Sequence, residues 1–122
     1  MVEASLGSRV IEPELAALLA DLKRRLERRF GDRFVALYLF GSRARGDHDP
    51  DSDVDVAVIL DQKLPRSFEV TEQILEDTYD LMLETGFYIQ PWPLEQGSLD
   101  DPPAHPHPQI SRAIQREGVR IE

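Results

Sequence analysis

Apolar residues recur along this chain with two different periods. Leu15, Leu18, Leu19, Leu22, Leu26 and Phe30 follow one another at three- and four-residue steps, which lays one apolar stripe along a predicted helix from Pro13 to Phe30. Pro13 suits the first turn of that helix, and Gly31 suits the residue after its end. Phe34 to Phe40 is then an unbroken apolar run, the pattern of a buried strand with Tyr38 in the core. The run stops at Gly41. A polar stretch continues to Ser52, and a second strand, Asp53 to Leu60, begins with alternation and becomes wholly apolar. Beyond a turn at Asp61–Pro65, Ser67 can cap a helix to Glu84 whose inward residues are Val70, Ile74, Leu75, Leu81 and Met82. Gly86 ends it. Phe87 to Gln90 reads as a short third strand, and Pro91 to Pro108 as a long irregular segment holding six of the nine prolines. A last helix, Gln109 to Glu117, leads through Gly118 to a strand-like ending. The order predicts one α/β (α+β) domain over residues 1–122, a small mixed sheet with helices packed on it and residues 1–10 flexible.

Composition narrows the chemistry. With 122 residues there is room for one core, and with no cysteine there is no disulfide framework, thiolate zinc site or thiol nucleophile. No apolar run approaches the length of a membrane span, and the first ten residues lack the hydrophobic stretch of a signal peptide, so a cytoplasmic protein is expected. The net charge of −9 is unevenly placed: residues 1–46 carry +3, residues 47–104 carry −13, and residues 105–122 carry +1. A grip on nucleic acid through its phosphates needs a basic face, and this balance argues against one. The cations Lys23, Arg24, Arg25, Arg28 and Arg29 crowd the end of the first helix, where they complement its dipole.

Inside the acidic region, DHDPDSDVD places Asp47, Asp49, Asp51, Asp53 and Asp55 on alternate positions. The first three read as solvated loop residues. Asp53 and Asp55 run directly into the apolar strand, and alternate strand residues point to one face. Two carboxylates about 5 Å apart repel by roughly 3 kcal/mol at an effective dielectric near 20. A divalent cation between them offsets that repulsion, and magnesium is held in this way by one or two carboxylates, waters and substrate phosphates. Gly41 and Ser42 end the preceding strand, with ten residues between them and Asp53. Glycine there lets a ligand approach the backbone, the serine hydroxyl and neighbouring N–H groups can meet phosphate oxygens, and Arg43 and Arg45 extend from the same loop. The two other Gly-Ser pairs, Gly7-Ser8 and Gly97-Ser98, have Leu19 and Gln109 at the offset of Asp53, so the combination occurs once.

The stretch GSRARGDHDPDSDVDVAVIL resembles the signature of the polymerase-beta-type nucleotidyltransferase superfamily, and specifically its minimal nucleotidyltransferases. Their pattern is Gly-Ser, ten residues, then Asp-x-Asp, matched here without gaps; the ending IQREGVRIE is similar to that of bacterial single-domain members. The resemblance implies the nucleotidyltransferase fold and metal-dependent transfer of a nucleoside monophosphate, AMP from ATP, to an acceptor hydroxyl with release of pyrophosphate. It implies that Asp53 and Asp55 hold two Mg2+ ions and that Gly41, Ser42, Arg43 and Arg45 bind the triphosphate. Minimal members also resemble one half of toxin–antitoxin pairs, in which a separately encoded helical protein of the HEPN type is the partner; the short chain, without an acceptor-binding domain, fits that arrangement and leaves a homo-oligomer open.

The match has a gap. Complete members place a third carboxylate on the strand after the second helix, and Phe87 to Gln90 contains no acid. Glu84 lies just before it and is the candidate third ligand, while Gln90 offers an oxygen but no base. A domain that binds nucleotide or a partner without turnover is therefore the alternative. Two other metal readings fail or fade. A calcium loop needs glycine sixth and glutamate twelfth, and the twelfth positions here are Val58, Leu60 or Gln62. His105 and His107 read as plain loop residues. Trp92 is a candidate for a partner surface, set against simple packing on the sheet.

Overall fold

The five leucines of the first stripe are withdrawn from solvent on one side of helix α1 (Pro13–Phe30). This is a computed structural model, and it describes residues 12–61, 68–100 and 108–122. The expectations for residues 1–10, for the cap at Ser67 and for His105 and His107 lie outside those residues. After α1 come strand β1 (Phe34–Phe40), the short helical turn α2 (Ser42–Arg45), β2 (Val54–Leu60), α3 (Phe68–Thr85), β3 (Ile89–Glu95), α4 (Gln96–Asp100), α5 (Pro108–Glu117) and β4 (Val119–Arg120). The strands form one mixed sheet in the order β3-β2-β1-β4. β1 runs antiparallel to β2 and β4, and β2 runs parallel to β3, with α3 as the crossover that a parallel pair requires. No described helix is long and apolar enough to cross a membrane.

Both faces of the sheet are covered, which is why β1 and β2 read as nearly continuous apolar runs. On one face Val54, Val56, Val58 and Leu60 of β2 meet the α1 leucines and Val70, Ile74 and Leu81 of α3. On the other, Ala57 and Ile59 join Ala36, Phe40, Leu94 and Ile114, with Tyr38 and Trp92 packed against them. The basic end of α1 lies along α3 and is paired there. Arg25 donates to Asp21 at 3.0 Å and to Glu84 at 3.1 Å. Arg29 meets the buried carboxylate of Asp77 with two hydrogen bonds, 3.0 and 3.1 Å, a fork that satisfies a group otherwise costly to bury.

Three expectations change. The third strand is Ile89–Glu95 rather than Phe87–Gln90, and the proline-rich segment begins as strand and helix. β3 is an edge strand paired only with β2, and the amide of Val54 donates to the Tyr88 carbonyl. Alternation then turns the backbone of Pro91 and Pro93 away from β2, where a missing N–H breaks no ladder bond. Leu75, expected inside, is exposed, while Val70, Ile74 and Leu81 are buried and Met82 packs against the core.

Candidate active site

Antiparallel pairing brings the two halves of the Gly-Ser…Asp-x-Asp pattern together. Phe40 pairs with Asp55, so Gly41, the next residue, lies against the start of β2. There its backbone turns sharply, with φ 81° and ψ −159°, a region essentially reserved for glycine. The Gly41 carbonyl accepts from the amides of Ala44 and Arg45, each at 3.0 Å, which closes the turn α2, and Gly46 ends it in the left-handed conformation. The glycine also answers to packing. A Cβ on Gly41 would lie 2.6 Å from Asp55 Oδ2. The close approach that this residue permits is made by a carboxylate of the site itself.

Asp55 alternates with Val54 and Val56 and so lies on the face that carries Ala57 and Ile59, and Asp53 immediately precedes the strand. Asp53 is exposed and Asp55 is half-buried. Burial pushes the Asp55 carboxyl above its ordinary value, and the charges of Asp53 and Glu117 push the same way. A hydrogen bond from Trp92 and the charge of Arg45 pull it back. Trp92 Nε1 donates to Asp55 Oδ1 at 3.5 Å, from the neighbouring strand where Gln90 stands opposite Asp55. Trp92 thus packs on the sheet and also touches the site.

The C-terminal helix supplies a third acid nearby. Glu117, the last residue of α5, is buried, and its Oε2 accepts from the Gly41 amide at 2.8 Å and from Arg45 Nη1 at 2.8 Å. Arg45 also donates through Nε to Asp47 at 3.0 Å, so one guanidinium ties the acidic loop to α5 beside Asp55. Sequence reasoning missed Glu117, although a signal was present. A carboxylate in the last turn of a helix opposes the dipole, and one retained there invites the question of what cation it meets. Glu117→Gln keeps the size but sets an amide against Arg45; the melting temperature should fall by a few degrees, and an unchanged melt would show that the tie carries no weight.

The remaining candidates separate. Arg43 is buried and directed into its own loop: Nε donates to the Ser52 carbonyl at 3.1 Å, Nη2 to that of Pro50 at 3.3 Å, and the guanidinium lies 5.2 Å over the Phe87 ring. It braces the stretch that delivers Asp53, with Asp49 helping by accepting from the Asp51 amide. Glu84 is corrected as third ligand. It pairs with Arg25 between α1 and α3, on the sheet face opposite Asp55, because helical phase turns it toward α1. Among the described residues no three acids or histidines are gathered around one ion position. Asp53 and Asp55 are two acids that could serve together as donors, and such a pair would suit a magnesium ion completed by waters and phosphate oxygens.

Comparison with known proteins agrees with this fold. The nucleotidyltransferase domain family matches residues 19–105. Among solved structures, a toxin–antitoxin crystallised with AMP-PNP is similar at 18% identity and a TM-score of 0.57, over 91% of this chain and 73% of that one. A mutant of the toxin–antitoxin MntA-HpeT is similar at 17% identity and a TM-score of 0.54, over 82% and 69%. No curated protein matches the sequence. The family match spans the two motif halves, the crossover helix and the strand beside them, and the chain belongs to the nucleotidyltransferase domain family, a class that transfers nucleotidyl groups.

Proposed function

We propose that this chain transfers AMP from ATP to a hydroxyl on a separately encoded helical partner of the HEPN type, as the antitoxin of a pair. The observation that carries the transfer is Asp55 at the start of β2, held against the Gly41 turn, with Asp53 two residues before it. The partner and the adenine nucleotide are supported by the similar toxin–antitoxin structures, one of them with AMP-PNP. Asp53 and Asp55 would hold two Mg2+ ions, which when bound polarise the α-phosphate and neutralise the departing pyrophosphate. Ser42 Oγ, which meets no hydrogen-bond partner among the described residues, and the half-exposed Arg45 would receive the outer phosphates. Gly41 serves chiefly by shape, since its amide is already held by Glu117. Arg43 serves by fixing the loop. Trp92 holds one oxygen of Asp55 and leaves the other toward Gly41 and the nucleotide.

The test is incubation with Mg2+ and α-labelled ATP, with and without the protein encoded beside this chain. Label should appear on the partner and vanish in Asp53→Asn. ATP bound without transfer to the partner would overturn the proposal and establish the binding-only alternative.

A further inference from the structure

Four large apolar side chains of α3 face away from the core: Phe68, Leu75, Tyr79 and Leu83, exposed by 76%, 44%, 58% and 71%. Their spacing of seven, four and four residues puts them on one side of the helix, a narrow stripe about 22 Å long at a rise of about 1.5 Å per residue. At about 100° per residue, Glu72 falls within the stripe and Glu69, Glu76 and Asp80 along one flank. No lysine or arginine occurs in Phe68–Thr85. Arg29 of α1 engages Glu76, whereas Glu69, Glu72 and Asp80 make no ion pair among the described residues. The stripe also has a direction. Past Leu83, the residues Thr85 and Tyr88 line a cleft of about 310 Å³ with Arg43 and Ser52, at the end of the sheet where Asp53 stands.

We propose that the outer face of α3 docks a partner protein through an amphipathic helix that carries leucine-like residues on one side and lysine or arginine along its edges. A straight stripe of this width fits the apolar side of one helix, and the acidic flank selects a basic occupant. A second copy of this chain is disfavoured, because a two-fold contact would set Glu72 and Asp80 near their own counterparts. A helix lying along the stripe ends at the cleft lined by Arg43 and Ser52, so the docked protein also meets the loop that leads into β2. The docking does not depend on the proposed transfer reaction.

The test uses the full chain without nucleotide or metal, so that its outcome is separate from that of the transfer assay. A fluorescent peptide of about three heptads, with leucine at a and d and lysine at e and g, is titrated and followed by anisotropy, beside a copy with glutamate in place of lysine. The basic peptide should bind and the acidic one should not. Tyr79→Ser combined with Leu83→Ser should weaken binding at least about ten-fold with an unchanged circular-dichroism melt. Glu72→Gln with Asp80→Asn should reduce its salt dependence. No binding, equal binding by the stripe variant, preference for the acidic peptide, or a dimer in sedimentation that the stripe variant dissolves would each overturn the proposal.

Discussion

Asp53→Asn and Asp55→Asn each lower nucleotidyl transfer by about a thousand-fold or more, the upper range for removal of one electrostatic element of a transition-state site, and each stabilises the metal-free chain. The two effects have one origin. Two neighbouring carboxylates, one of them half-buried, repel each other and Glu117 unless a cation lies between them. Burial, with Asp53 and Glu117, raises the folded-state pKa of Asp55 above its unfolded value. The fold therefore favours the protonated acid. Its contribution to stability is fully present below the unfolded value and is lost as pH rises through the folded one. In Asp55→Asn that slope of stability against pH should disappear, and the melting temperature near neutral pH should rise by a few degrees. Added Mg2+ should raise the melt of the unaltered chain by preferential binding to the folded state and leave either variant nearly unmoved. A wild-type melt indifferent to Mg2+, or transfer surviving in both variants, would contradict this account.

How far the sequence carried can be judged from particular residues. The α1 leucines and the run from Val54 to Leu60 were legible because a stripe buried against one face of a sheet, and a strand buried on both faces, leave periodic signatures. The Gly41–Asp55 pair was legible because antiparallel neighbours need only a fixed loop length to meet. β3 was not. Pro91 and Pro93 argue against a central strand, and only the sheet order shows that theirs is an edge. Period alone puts Leu75 inside, but α3 has apolar residues on two sides, and a period does not say which side meets the sheet.

Glu117 and Arg43 show a different limit. Both roles depend on contacts between residues distant in sequence or folded back within a loop, and side-chain type alone does not choose among partners. An arginine beside a phosphate motif is equally suited to bridging carbonyls, and Arg43 meets those of Ser52 and Pro50. Trp92 became readable only through parallel register, which sets Gln90 opposite Asp55 and Trp92 one step further along the same face. The site is thus made of a motif visible in the chain and a surround visible only in the fold.

Gly41→Ala should damage stability and transfer together. The residue adopts φ 81° and ψ −159°, where a side chain costs about 1–3 kcal/mol in backbone strain. The new Cβ would also stand 2.6 Å from Asp55 Oδ2, a separation that real Cβ contacts do not reach, so either the carboxylate or the turn must move. Moving the carboxylate breaks the geometry of the Asp53–Asp55 pair. Moving the turn draws the Gly41 amide from Glu117 and with it Arg45, the cation beside the site. Each escape damages a different part, so stability and transfer should fall together: a drop in the denaturation midpoint equivalent to about 2.5–6 kcal/mol, the strain plus a charged hydrogen bond, and at least about a hundred-fold less transfer. Paired urea denaturation and α-labelled ATP assays read both. The control is Gly46→Ala, which shares a positive φ but meets no atom within 4 Å of its Cβ and should therefore lose stability through strain while retaining most of its transfer. Equal loss of transfer in the two variants would mean that turn flexibility, and not the contact with Asp55, is what the site requires of glycine.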